Sequence, residues 1–79
     1  MKMKFTLSAC RLNAGFTLEE ASKELDVNKT TLSKYEKDSS NIPMSLLNNA
    51  SELYQVPIDY IFIGKKYELK RIIQNKEFA

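Results

Sequence analysis

The chain has 79 residues, of which 43 % are hydrophobic and 28 % charged with only two Gly and two Pro, a composition that excludes a linker or a disordered tail and fits one small folded domain. With one Cys, Cys10, and no His, an internal disulfide is excluded, a metal site is disfavoured, and most routes to acid–base or nucleophilic catalysis are missing, so neither an enzyme nor a bound cofactor is expected. The net charge of +2 is too small to name a nucleic-acid partner by itself, so the placement of charge must decide.

Apolar residues recur at helical spacing along most of the chain, and no alternating stretch is long enough for a strand. A first helix is expected from an N-cap at Thr6 to Ala14, with Leu7, Cys10 and Ala14 on its inner face. Gly15 then suits a left-handed helix end. Cys10 reads as a small core residue, because its helix face is apolar.

The second helix has the clearest start. Thr17 followed by Glu20 is a capping box, with Phe16 placed to staple onto Ala21. Leu18, Ala21, Ser22 and Leu25 form its inner stripe. Asp26 and Val27 make a very short turn, and Asn28 caps a third helix running from about Lys29 to Lys37. Two helices joined this tightly form a helix-turn-helix hairpin. Val27, Thr31, Leu32 and Tyr35 are expected inside, which leaves Thr30, Ser33, Lys34 and Lys37 as a polar, basic outer stripe with Lys29 beside it. Charge is segregated by element. Residues 17–26 carry Glu19, Glu20, Glu24 and Asp26 against Lys23, whereas residues 27–37 carry Lys29, Lys34 and Lys37 against Glu36.

A polar loop follows from Asp38 to Asn41. Pro43 fits the first turn of a fourth helix whose inner face is Leu46, Leu47, Ala50, Leu53 and Tyr54. Pro57 is expected to start a short fifth helix with Ile58, Ile61 and Phe62 inward, ending near Gly64. The longest apolar run, Tyr60 to Ile63, lies here and is far below the ~20 residues of a membrane span. With no apolar stretch behind the basic N-terminus either, a cytoplasmic protein without membrane association is expected. A sixth, amphipathic helix carries Tyr67, Leu69, Ile72 and Ile73, and Phe78 follows. The expected architecture is therefore an all-α bundle of five to six helices, with a domain at residues 1–64 and a C-terminal helix and tail at 65–79.

The spaced pattern from Leu7 to Phe62 resembles the phage repressor and Cro type of helix-turn-helix, the XRE-like family with a lambda-repressor-like fold. The residues carrying it are Arg11 four before Gly15, Thr17 to Ser22, Leu25 to Asn28, Thr31 to Glu36, Pro43, and Val56 to Phe62. The resemblance implies a DNA-binding transcription regulator, most simply a repressor from a phage, a mobile element or a related bacterial system. It implies that Lys29, Thr30 and Lys34 reach base edges, and that Asn28, Ser33, Lys37, Ser39, Ser40 and Asn41 meet phosphates. It also implies that Arg11 and Glu36 form a partly buried pair joining the first and third helices, the alternative being two unconnected surface charges. Two positions depart from the family's pattern. Leu18 stands where the family commonly has Gln to anchor DNA backbone, and Asp26 stands where it often has Gly.

One recognition helix reads too few base pairs to find a site in a genome, so a homodimer on double-stranded DNA with an inverted repeat is expected. Tyr67, Leu69, Ile72 and Ile73 either join two subunits or pack back on the domain. A lysine-rich helix face is by itself most often only solvated surface. The rival function is a protein-interaction module, or an antitoxin that binds DNA secondarily, favoured by Leu18 and by the acidic second helix.

Overall fold

A computed structural model describes residues 4–65. Among these residues are four α-helices, α1 (Leu7–Asn13), α2 (Leu18–Glu24), α3 (Lys29–Lys37) and α4 (Met44–Tyr54), followed by a single 3-10 turn at Ile58–Tyr60. α1 packs against α3 and α4, α2 against α3, and α4 against the 3-10 turn. No helix among the described residues is long and apolar enough to cross a membrane.

The helix starts follow from side-chain caps. Thr6 accepts from the Ala9 amide at 3.1 Å, and Asn28 accepts from the Thr30 amide at 2.7 Å. At α2 the capping box is complete, because Thr17 Oγ1 accepts from the Glu20 amide while Glu20 Oε1 accepts from the Thr17 amide. Each cap satisfies an N–H that the first helical turn leaves without a partner.

Three helix ends share one geometry. The amide just past a left-handed residue returns to a carbonyl in the last turn: Phe16 to Arg11, Val27 to Ser22, and Val56 to Ser51, each at 3.0–3.1 Å. This closure needs a left-handed residue just before the returning amide. Gly15 supplies it after α1 with φ +89°, Asp26 after α2 with φ 56°, and Gln55 after α4 with φ 59°. Gly15 adopts it freely; Asp26 and Gln55 hold it at a cost, since a Cβ crowds the following carbonyl there.

The core is one cluster of Leu7, Cys10, Ala21, Leu25, Leu32, Leu46, Leu47, Ala50, Tyr54 and Ile61, with Phe16, Leu18, Val27, Tyr35, Ile42, Leu53, Val56 and Ile58 packed around it. Burial raises the pKa of the Cys10 thiol, so it stays protonated and inert.

Several expectations need correction. α1 stops at Asn13, and Ala14, expected on the buried face, is its exposed C-cap. Among the described residues the bundle has four helices: the expected fifth helix is reduced to the 3-10 turn, and the expected sixth lies outside the described residues. Ile61 is buried as foreseen, but in extended backbone. The cause is a competing partner. Phe5 donates its amide to the Tyr60 carbonyl at 2.7 Å and accepts from the Phe62 amide at 2.8 Å, a parallel bridge centred on Phe5 and Ile61. The β-branched Ile61 favours this extended strap over another helical turn.

Candidate nucleic-acid interface

α3 divides into two faces. Leu32 is buried and Tyr35 is packed on the core, fixing the inner side. Lys29, Thr30, Lys34 and Lys37 are exposed on the other side, Ser33 is half-buried, and Asn28 stands exposed at the N-terminal end. The three lysines therefore lie on or beside one stripe over little more than two helical turns. The Lys34 ammonium also stands 5.9 Å from the ring centre of Tyr35, at the edge of cation–π range. Asn28 Oδ1 is committed to its cap, so the hydrogen-bonding group it retains for a ligand is its amide NH2.

The orientation of this helix is fixed from α1. Arg11 Nε donates to Glu36 Oε2 at 2.7 Å and Arg11 Nη2 donates to Glu36 Oε1 at 3.1 Å, a bidentate pair. The third guanidinium nitrogen donates to the Phe16 carbonyl at 3.0 Å, just after α1. The two side chains are only 13 % and 10 % exposed, so the pair is largely dry. The hydrogen bond to Glu36 raises the pKa of the guanidinium, which remains charged. Beside it, burial pushes the Tyr54 phenol up to about 12, the Glu36 charge raising it further and the Arg11 charge opposing. Tyr54 also meets Phe16 ring to ring at 6.2 Å in a tilted contact.

Leu18 is half-buried against the core and carries no polar group to offer a phosphate. The turn keeps its shape with Asp26 left-handed in place of Gly.

The loop after α3 differs from expectation at two residues. Ser39, which the resemblance places among the phosphate contacts, is 3 % exposed. Its hydroxyl lies 3.3 Å from the carbonyls of Phe62 and Gly64 and accepts from the Gly64 amide at 3.0 Å, while its own amide donates to the Gly64 carbonyl at 3.0 Å. A serine held this way is a packing element, so Ser39 leaves the set of phosphate candidates. Ser40 is exposed, but its hydroxyl and amide both donate to Asp38 Oδ1. These two bonds lower the pKa of Asp38, so its carboxylate stays charged. Asn41 is exposed. Nothing in the local sequence separates Ser39 from Ser40; the only signal was a chain partner 25 residues away. Tyr67, Leu69, Ile72 and Ile73, the candidate dimer residues, lie outside the described residues.

Comparison with known proteins agrees with this geometry. A family model described as helix-turn-helix matches residues 7–61. The HTH-type transcriptional regulator ImmR of Bacillus subtilis is 35 % identical over 65 residues, an alignment covering 82 % of this chain. The chain spans about half the length of that relative, the aligned part being 50 % of it. On the match over residues 7–61, the chain belongs to the helix-turn-helix family.

Proposed function

We propose that the protein is a sequence-specific transcription regulator, acting as a repressor, that inserts α3 into the major groove of an inverted-repeat operator as a homodimer. The observation that carries this reading is the exposed row of Lys29, Thr30, Lys34 and Lys37 on a helix whose other face is anchored in the core. Lys29 and Lys34 donate to guanine O6 or N7, and Thr30 meets a thymine methyl or a base edge; each good base contact is worth ~1–3 kcal/mol of discrimination. Asn28, through its amide NH2, with Ser33, Lys37 and Asn41, holds phosphates and fixes register. Ser40 joins them only if it gives up Asp38. The relative's designation as a transcriptional regulator supports the same assignment here.

Two subunits place their recognition helices on half-sites about 34 Å apart. The residues that join them are Tyr67, Leu69, Ile72 and Ile73 in the segment from Lys65 onward. Repression follows from occupancy, where the operator overlaps a promoter.

The test is selection of binding sites from a random duplex library, with Lys29→Ala/Lys34→Ala as the control. An enriched inverted repeat that the control fails to enrich supports the proposal. No enrichment at low salt removes α3 as a reader.

A protein-interaction module on the same fold is the second reading. The acidic first turn of α2, Glu19 and Glu20, is what favours it. Leu18, half-buried against the core, offers it little surface. Salt separates the two readings, because DNA affinity falls by about one counterion per phosphate contact.

A further inference from the structure

Ser39 is buried, polar, and bonded to a segment far away in sequence. Its hydroxyl and amide make all of their bonds to Phe62 and Gly64, and the neighbouring Asp38 and Lys65 form an antiparallel bridge. The extended strap of residues 61–65 is thus tied at one end to Phe5 and at the other to the loop that leaves α3. On the far side of Ser39, the Ile42 amide donates to the Ser39 carbonyl at 3.1 Å, and Ile42 packs on the core. The Asp38 amide closes α3 on the Lys34 carbonyl, and the Ser40 amide is held by Asp38. Ser40, held by Asp38, and Asn41 are therefore the exposed residues of a loop whose other members are fixed.

We propose that Ser39 is a positioning residue for DNA binding. It locks the loop of residues 38–42 to the strap so that Asn41 and the end of α3 at Lys37 meet the phosphate backbone already ordered. This rests on the DNA-binding reading above. Ordering a backbone residue costs conformational entropy, so a loop fixed before binding spares the complex that cost. The lock confers no base preference, because Ser39 is buried and touches no groove. It acts on affinity alone.

The experiment measures binding of the full chain to a labelled duplex enriched by the selection, and to a mixed-sequence duplex, across a salt series. Ser39→Ala is compared with Gly64→Pro. The proline removes the amide that the Ser39 hydroxyl accepts and forbids the Gly64 φ of +148°. Melting curves and helix content show that each variant is folded at the assay temperature. The expected result is a roughly tenfold loss of affinity on both duplexes in each variant, an unchanged ratio between them, and a salt slope shallower by about one phosphate. The double variant should be no weaker than either single one. A folded Ser39→Ala chain with wild-type affinity and slope overturns the proposal. So does a Gly64→Pro chain that binds normally, or a double variant with additive losses, which means that Ser39 meets DNA directly. If the wild-type chain binds neither duplex at low salt, it is the DNA-binding reading that fails.

Discussion

Breaking the Arg11–Glu36 pair one residue at a time, and then both together, tests what holds the recognition helix in place. Both side chains are nearly dry and are joined by two charge-assisted hydrogen bonds. Removing either partner strands the other in a site where water solvates it poorly, which costs about 3–5 kcal/mol. At 79 residues the whole domain is worth roughly 4–12 kcal/mol, so Arg11→Met and Glu36→Leu should each bring it close to unfolding. The melting temperature should fall by more than ~12 °C, because 1 kcal/mol moves a domain of this size by about 4–8 °C. The double variant Arg11→Met/Glu36→Leu removes both charges and fills the site with apolar atoms. It should recover to within about 1 kcal/mol of the wild type. The residue of the loss is the Phe16 carbonyl, which keeps no donor from residue 11. Urea unfolding followed by circular dichroism gives all four stabilities. Single variants that each cost less than ~1 kcal/mol, or losses that simply add in the double variant, would refute the coupling.

Four further outcomes are expected. Lys34→Ala should relax base preference at one position of each half-site by ~1–3 kcal/mol with helix content intact; site selection on the variant reads this, and an unchanged motif removes Lys34 from the reading set. Asp26→Gly should raise stability by about 0.5–1 kcal/mol, since the left-handed φ of 56° no longer crowds a Cβ; a loss in thermal melting would mean that the Asp26 side chain contributes more than its backbone strain costs. Tyr54→Phe should be neutral or stabilising by about 1 kcal/mol, because among the described residues the buried phenol has no hydrogen-bond partner; clear destabilisation in chemical unfolding would reveal one. Bonds from the Thr17 amide and hydroxyl lower the folded-state pKa of Glu20, so its contribution is complete above the unfolded value near ~4.3 and is lost as pH falls through the folded one. Glu20→Gln should therefore flatten stability between about pH 5 and 3 relative to the wild type, and parallel curves would discount the capping box.

Local chemistry made much of this legible. The caps at Thr6, Thr17 and Asn28 are written within three residues of sequence, and so are the starts of α1, α2 and α3. The inner faces of α2 and α4 follow from spacing alone, since residues at helical period share a side whatever the rest of the chain does. The expectations that failed at Ile58 to Phe62 and at Ser39 depend on partners distant in sequence. Ile58 to Phe62 has a helix-like apolar pattern, but Phe5 competes for its backbone from the other end of the chain. Ser39 and Ser40 are chemically identical and adjacent, and only Gly64 decides which is buried. A bridge one residue long has no period, so no pattern search finds it.

The same distinction bears on how this chain holds its recognition helix. Where the family commonly sets a Gln against the DNA backbone, Leu18 packs into the core, so α2 is held by apolar contact and its amide cap. Positioning of α3 then falls on protein contacts: Leu32 and Tyr35 beneath it, Glu36 gripped from α1, and Asn28 at its start. On the proposed function, those contacts are in place before DNA arrives, so the exposed lysines add electrostatic attraction without first paying to order the helix that carries them. Variants that loosen the grip, such as Glu36→Leu, should therefore weaken binding to all sequences alike, whereas losses at Lys34 should depend on the base beneath it. Measured side by side on matched and mismatched duplexes, the two kinds of loss separate holding the helix from reading with it.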